Sequence, residues 1–280
     1  MAWVERFAPS PTGPLHLGHA YSALLAWERA QASGGGFLLR IEDIDQSRCR
    51  PEWEAQIYQD LSWLGISWIP PVLRQSERVQ AYDNALKWLW NKGLLYPCTC
   101  SRKDIAMASQ APQEGAPLLG PDGIVYPGTC RRTPIGDMPE NAVLRLDLAK
   151  AMQQSRFEFV ETGSGAREKV EFSAHYAHEN IGDIVLARRN MGTSYHLSVV
   201  LDDAFQGVSH VTRGEDLLEA TKIHVILQRV LGLETPIYHH HRLIRDENGK
   251  RLAKRDDARA IAGYRADGAT PADIRHMVGL

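Results

Sequence analysis

The sequence predicts an α/β fold built on a parallel sheet and interrupted by an inserted subdomain. Three observations carry this. Residues 3–42 run strand, loop, helix, strand, the βαβ order of a parallel sheet. After residue 95 the pattern changes to a Pro/Gly-rich stretch followed by alternating apolar and polar residues. After Ile181 the α/β character returns. The expected organisation is an α/β body at 1–95 and 180–238, a small α+β insertion at 96–179, and a C-terminal segment at 239–280.

The elements follow in order. Trp3–Ala8 reads as a strand, and the turn-rich Pro9-Ser10-Pro11-Thr12-Gly13-Pro14 ends it. Leu15–Ser33 reads as a helix stopped by Gly34-Gly35-Gly36, and Phe37–Glu42 as a buried strand closed by charges. Trp53, Ile57, Leu61 and Leu64 share one helix face that stops at Gly65. Val79, Tyr82, Leu86 and Leu89 share another that stops at Gly93, with Ser76 as the expected N-cap. Ser109–Gly128 reads as an irregular loop. Ala142–Leu148 and Arg156–Val160 alternate as half-exposed antiparallel strands should. Ile181–Ala187 and Leu197–Leu201 read as strands, and Asp216–Leu231 as a helix capped by Gly232. Asp246–Lys250 is a polar turn, and a polar helix-like end follows.

Composition narrows the function. Apolar residues are 44% and charged residues 24% of 280, which excludes disorder. Net charge is −2, so nucleic-acid binding would need a local basic face rather than bulk charge. No apolar run is long enough to span a bilayer, and the charged N-terminus lacks the apolar core of a signal peptide. A cytoplasmic protein with no membrane partner is expected. Three of the four cysteines, Cys98, Cys100 and Cys130, fall close together and favour a metal over a disulfide; reduced cysteines packing a small subdomain are the alternative. No histidine lies between Leu94 and Arg132, so a fourth ligand must be another residue type or come from outside.

His16-Leu17-Gly18-His19 sits between the first strand and the first helix, where doubly wound sheets bind ligands. A helix N-terminus offers unpaired N–H groups and partial positive charge to phosphate. Two imidazoles three residues apart add donors, and Gly18 keeps the backbone accessible. Arg6 and Glu42 end adjacent strands and so meet at the same sheet edge, flanking that helix start.

Arg6–Gly13 followed by His16–His19 resembles the opening of glutamyl-tRNA synthetases, with their HIGH-type motif. Arg251-Leu252-Ala253-Lys254-Arg255 occupies the place of the second signature of class I synthetases. Arg251 and Ala253 depart from the usual Lys and Ser, whereas Lys254 is kept. The resemblance implies a Rossmann-type class I catalytic domain that binds ATP with Mg²⁺ through His16, Gly18, His19 and Lys254. It implies catalytic roles for His16, His19 and Lys254. It assigns glutamate binding to Arg6, Ala8, Ser10 and Glu42, and to Tyr195 and Arg213, 18 residues apart. Two arginines and a tyrosine suit a carboxylate and disfavour a neutral amide. Cys98-Thr99-Cys100 with Tyr126-Pro127-Gly128-Thr129-Cys130 resembles the zinc site of one subgroup, the glutamyl-Q tRNA(Asp) synthetases. It implies one structural Zn²⁺ on Cys98, Cys100, Tyr126 and Cys130.

The resemblance covers only the catalytic half of a full synthetase, so no anticodon-binding domain is expected. That too points to the subgroup, whose members attach glutamate to the queuosine base of tRNA(Asp). A monomer is expected. The insertion would meet the tRNA, with Arg102, Lys103, Arg131, Arg132, Arg188 and Arg189 available to phosphates. The alternatives are a compact glutamyl-tRNA synthetase charging tRNA(Glu) or an inactive RNA-binding paralogue.

Overall fold

Strand β1 (Val4–Phe7) leads through the Pro-rich turn into helix α1 (Leu17–Ala32), whose buried Leu17, Ala20, Tyr21, Ala23 and Leu24 recur at helical spacing. The chain returns as β2 (Gly36–Ile41), parallel to β1, with Arg6 opposite Leu38. The computed structural model describes residues 2–110, 119–132, 136–152, 156–163, 165–245 and 259–280. Helix α2 (Pro51–Trp63) begins with proline, whose missing N–H costs nothing there. Strand β3 (Ile69–Arg74) then adds to β2 in parallel.

Helix α3 (Val79–Asn91) follows a 3₁₀ turn at Gln75–Arg78. Ser76 therefore is not its N-cap, which is Arg78. The Ser76 N–H and hydroxyl instead donate to Asp43, at 2.8 and 2.6 Å, and tie the turn to the end of β2.

The middle of the chain comprises β4 (Leu95–Pro97), α4 (Arg102–Gln110), the hairpin β5 (Leu119–Gly120) and β6 (Gly123–Ile124), β7 (Leu144–Leu146) and α5 (Leu148–Ala151). It continues with β8 (Arg156–Glu161), β9 (Glu168–Ser173) and α6 (Ala174–Asn180). The irregular loop expected at 109–128 thus holds a hairpin, and part of it lies outside the described residues. Strand β7 is not half-exposed. It is the middle strand between β4 and β10 (Val185–Ala187), and Leu144, Arg145 and Leu146 are all buried. The hairpin β8–β9 does alternate as expected, with Phe157, Phe159 and Glu161 inward.

The second half of the α/β body runs α7 (Tyr195–Phe205), β11 (His210–Gly214), α8 (Leu218–Leu231) and β12 (Ile237–His241). The strand expected at Leu197–Leu201 is part of α7. That helix is covered nearly all round, so its apolar run loses the 3.6-residue rhythm and reads like a buried strand. Strand β11 lies beside β1, where Ser209 N–H donates to the Val4 carbonyl at 3.1 Å. Strand β12 runs parallel to β11, and β8 bridges to β12 at Glu161–Tyr238. Helices α9 (Ile261–Ala266) and α10 (Pro271–Val278) close the chain, and buried Ile261, Ile274 and Val278 join the core under α1. The polar turn expected at Asp246–Lys250 lies outside the described residues. Among the described residues no helix is long and apolar enough to cross a membrane.

Candidate active site

The chain leaves β1 toward β2 on one side, while β11 and β12 occupy the other. Ligands of such sheets bind at this reversal, beyond the carboxyl ends of the strands. A cavity of about 340 Å³ opens there, walled by Arg6, Ala8, His16, Gly18, His19, Glu42, Tyr195 and Arg213, with His241, Leu243 and Ile244. Eight of the predicted site residues thus meet in one place. Ser10 is half-buried outside this wall. Lys254, with Arg251 and Ala253, lies outside the described residues. Of its described flanks, Ile244 lines the cavity and Ala260 bridges to His16.

His16 does not sit in the first helical turn but caps it. Its Nδ1 accepts the Gly18 N–H at 3.1 Å, and His19 Nδ1 accepts the His16 N–H at 3.2 Å. The two rings form a reciprocal capping box with centroids 3.8 Å apart. Because each Nδ1 accepts, the proton of each neutral ring belongs on Nε2. The cap thus makes both rings donors through the nitrogen remote from the helix backbone.

Arg6 and Glu42 belong to a buried charge cluster with Arg40 and Asp203. Arg6 Nε donates to Asp203 Oδ1 at 3.1 Å, and Arg40 reaches the same oxygen at 2.7 Å and Glu42 Oε1 at 3.3 Å. Burial pushes the Asp203 carboxyl up, but Arg6 and Arg40 outweigh it and hold it below the usual range. Burial dominates at Glu42 and raises its carboxyl despite Arg40 and Arg6. Glu42 therefore gains from any further cation placed against it. Sequence reasoning missed Arg40 and Asp203; the pair is 163 residues apart and has no local pattern.

Arg213 is held differently. Its Nη2 donates to Thr221 Oγ1 at 2.6 Å and its Nε to His240 Nε2 at 3.2 Å, and its Nη1 meets His224 Nδ1 at 3.3 Å. His224 Nε2 in turn meets His196 Nδ1 at 3.2 Å. Burial pushes His224 far below its ordinary value, and the Arg213 charge adds to this. His240 is also lowered by burial, with the Glu161 hydrogen bond opposing. Glu161, from β8, accepts from His240 Nδ1 at 2.5 Å and from the His240 and Gly163 N–H groups. Burial opposes charge on Glu161, but those bonds bring its carboxyl down to about 2. The Tyr195 ring rests against His196 and His224, at 5.4 and 5.7 Å between centroids. None of Glu161, His196, His224 and His240 is among the site residues read from the sequence.

The cysteine cluster lies apart from this cavity. The Sγ atoms of Cys98, Cys100 and Cys130 fall within 4.8 Å of one another. Tyr126 Oη is 3.5 Å from the Cys98 and Cys100 sulfurs and accepts the Cys130 N–H at 2.8 Å. A tetrahedral zinc site with sulfur bonds of about 2.3 Å has edges of about 3.8 Å, so these four atoms fit one ion. Burial and the hydrogen bonds to sulfur push the Tyr126 phenol up. Arg145 lies over the Tyr126 ring at 3.8 Å, and its Nη1 donates to the Asp183 carbonyl. The Asp183 carboxylate takes Tyr96 Oη, Arg131 Nε at 2.8 Å and Leu148 N–H at 2.9 Å, which ties the cluster to the main body.

Residues 3–280 match the family model for tRNA synthetases class I (E and Q), catalytic domain. The chain is 63% identical to a glutamyl-Q tRNA(Asp) synthetase of Rhodobacter capsulatus, over 99% of this chain and 100% of that one. It is 41% identical to a glutamyl-Q tRNA(Asp) synthetase of Symbiobacterium thermophilum, over 96% of this chain and 83% of that one. Among solved structures it resembles a glutamate tRNA ligase from Elizabethkingia meningosepticum in complex with its amino acid, with a TM-score of 0.77 and 27% identity. A glutamate-tRNA synthetase from Elizabethkingia anophelis gives 0.79 at 27% identity. This chain aligns over its whole length with both and spans 61% of theirs.

Proposed function

The chain belongs to the catalytic-domain family of class I tRNA synthetases (E and Q), and we propose that it activates L-glutamate with ATP and transfers it to the queuosine base of tRNA(Asp). The observation that carries this is the cavity itself, which sets a two-histidine helix cap beside two arginines, a tyrosine and a carboxylate. The choice of acceptor follows the two relatives, of whose length this chain covers 100% and 83%.

In the first step an α-carboxylate oxygen of glutamate attacks the α-phosphorus of ATP. The bond to the β-phosphate oxygen breaks, and pyrophosphate leaves with that electron pair. His16 and His19 donate through Nε2 to the phosphate oxygens as charge builds there, and Gly18 lets the helix start approach them. Lys254 brings an ammonium to the α-phosphate and the leaving pyrophosphate, and Mg²⁺ accompanies ATP. Ala8, Ser10 and Glu42 receive the amino-acid head. The substrate ammonium supplies Glu42 with the cation its burial calls for. Arg6, Tyr195 and Arg213 receive the side-chain carboxylate. In the second step a hydroxyl of the nucleoside attacks the acyl carbon, and AMP leaves with the mixed-anhydride oxygen. No covalent enzyme intermediate is needed; positioning and charge stabilisation carry the rate.

The segment 96–179 is the part assigned to meet the tRNA. It holds the proposed zinc site: Cys98, Cys100, Cys130 and Tyr126 as four protein ligands make a structural centre, with no open position for catalysis. Elemental analysis should give one zinc per chain in the parent and much less in Cys98→Ser.

The deciding experiment offers radiolabelled glutamate and ATP to tRNA(Asp) with and without queuosine, and to tRNA(Glu). Label confined to queuosine-containing tRNA(Asp) is expected. Label on tRNA(Glu) would instead make this a compact glutamyl-tRNA synthetase.

A further inference from the structure

Arg6 and Arg40 are fixed by carboxylates, whereas the partners that fix Arg213 are neutral. A guanidinium only donates. His224 Nδ1 and His240 Nε2, which face it, must therefore carry lone pairs. Each ring keeps its single proton on the far nitrogen. His224 Nε2–H then donates to His196 Nδ1, and His196 Nε2–H faces the Asp122 carboxylate, 3.7 Å away on the β5–β6 turn. The arrangement works in one protonation pattern, with both rings against Arg213 neutral. His224 is 1% exposed and His196 6%, so neither is there to meet water.

We propose that His224, backed by His196, is a positioning residue that sets the preference of this cavity for a carboxylate over a carboxamide. The inference rests on the reading of the cavity as a glutamate site. A neutral acceptor fixes the Arg213 fork while leaving its positive charge for the ligand. A carboxylate in the same place would fix the fork equally well and cancel that charge. An apolar side chain would leave the charge and lose the orientation. Imidazole supplies the acceptor without the charge, and the same two rings back Tyr195, the second group aimed at the ligand carboxylate.

The test is ATP–pyrophosphate exchange by the full chain, with glutamate and with glutamine, for the parent and for His224→Gln, His224→Leu and His224→Glu. Gln can turn its amide oxygen to Arg213 and its amide nitrogen to His196, and should keep the glutamate KM within about threefold. Leu should raise the glutamate KM about tenfold or more, with the ATP KM and kcat little changed. Glu should raise it as much and also cut the glutamate-over-glutamine ratio of kcat/KM about tenfold. A purely packing role would not separate Gln from Glu, which have the same shape. Equal glutamate KM values for those two overturn the inference, and do so even if the Leu variant fails to fold. So does a Leu variant that matches the parent. A parent without glutamate-dependent exchange sinks the proposed function instead. The same ordering is then read from glutamate and glutamine binding by calorimetry, where a parent that prefers neither overturns the inference as well.

Discussion

The two sides of the cavity hold their arginines in opposite ways. On the β1–β2 side, Arg6 and Arg40 share the Asp203 carboxylate and Arg40 adds Glu42, so the buried charges balance within the protein. On the β11–β12 side, Arg213 is surrounded by a hydroxyl, two imidazoles and the Leu217 carbonyl, and its charge is not cancelled by the groups that orient it. The first arrangement holds strands and helix α7 together. The second leaves charge for a ligand. A buried cation by itself says little about function; the charge of its partners says which kind it is.

The comparison breaks most visibly at Asp203. Asp203→Asn leaves two buried guanidinium groups with half their countercharge, and about 3–5 kcal/mol of stability should go. Thermal melts should show this before any assay does. If the melt is unchanged, the β1–β2 side is not a structural cluster and the contrast fails.

Arg213→Leu should do the reverse. The glutamate KM should rise about 100-fold, or about 2.7 kcal/mol, while stability stays within about 1–2 kcal/mol of the parent. A variant that melts far below the parent but keeps its glutamate KM would exchange the roles of the two sides.

Acid should reach the β11–β12 side first. His224 and His240 are lowered by burial, and His239 on the same strand and His210 on β11 are pushed down to about 4. A histidine lowered in the folded state contributes stability that is complete above its unfolded value, about 6.5. That stability falls away as pH drops below 6.5, by at most about 1.4 kcal/mol per unit for each ring. Asp203 is lowered instead, so its contribution persists until pH falls below the ordinary aspartate range. Glu42 is raised and has the opposite sign, since acid relieves its burial. Melts between pH 7 and 5 should therefore drop, and His224→Gln should flatten the drop. A curve unaffected by that substitution would remove His224 from the account.

The smallest effect is the most local. A methyl on Gly163 would stand 2.0 Å from the His240 carbonyl, so Gly163→Ala must shift β8 against β12. About 1–2 kcal/mol of stability and a few-fold in glutamate KM should be lost, with the ATP KM unchanged. An equal change in both KM values would mean that the strain spreads beyond the Arg213 side.

Much of this was legible in the sequence, for identifiable reasons. The opening strand, turn, helix and strand are short-range and carry strong stop signals, so β1, α1 and β2 stand close to where they were read. Arg6, Glu42, His16 and His19 could be placed on one sheet edge because parallel strands align their ends. Helix α7 was misread at Leu197–Leu201 because burial on nearly every side erases periodicity. Arg40 and Asp203 are joined across 163 residues, and His196 and His224 across 28, so no window of sequence contains either pair. The capping role of His16 was missed because histidine is not a usual cap; the spacing to His19 was visible, but its purpose was read as phosphate contact alone.

The placement of β1 between β2 and β11 also has a consequence in time. Its β2 edge is paired almost as soon as it is made, but the Val4 carbonyl and the buried Glu5 carboxylate wait for Ser209 and Thr212. The Val4–Ser209 separation is 205 residues. At a ribosomal pace of about 5–20 residues per second, that is roughly 10–40 seconds with one strand edge open. Arg29, from α1, reaches Glu5 at 3.3 Å and is synthesised early enough to occupy that carboxylate in the interval. The first strand of this protein is thus nearly the first element made and among the last to be completed, and its nascent chain has most to gain from a chaperone over that edge.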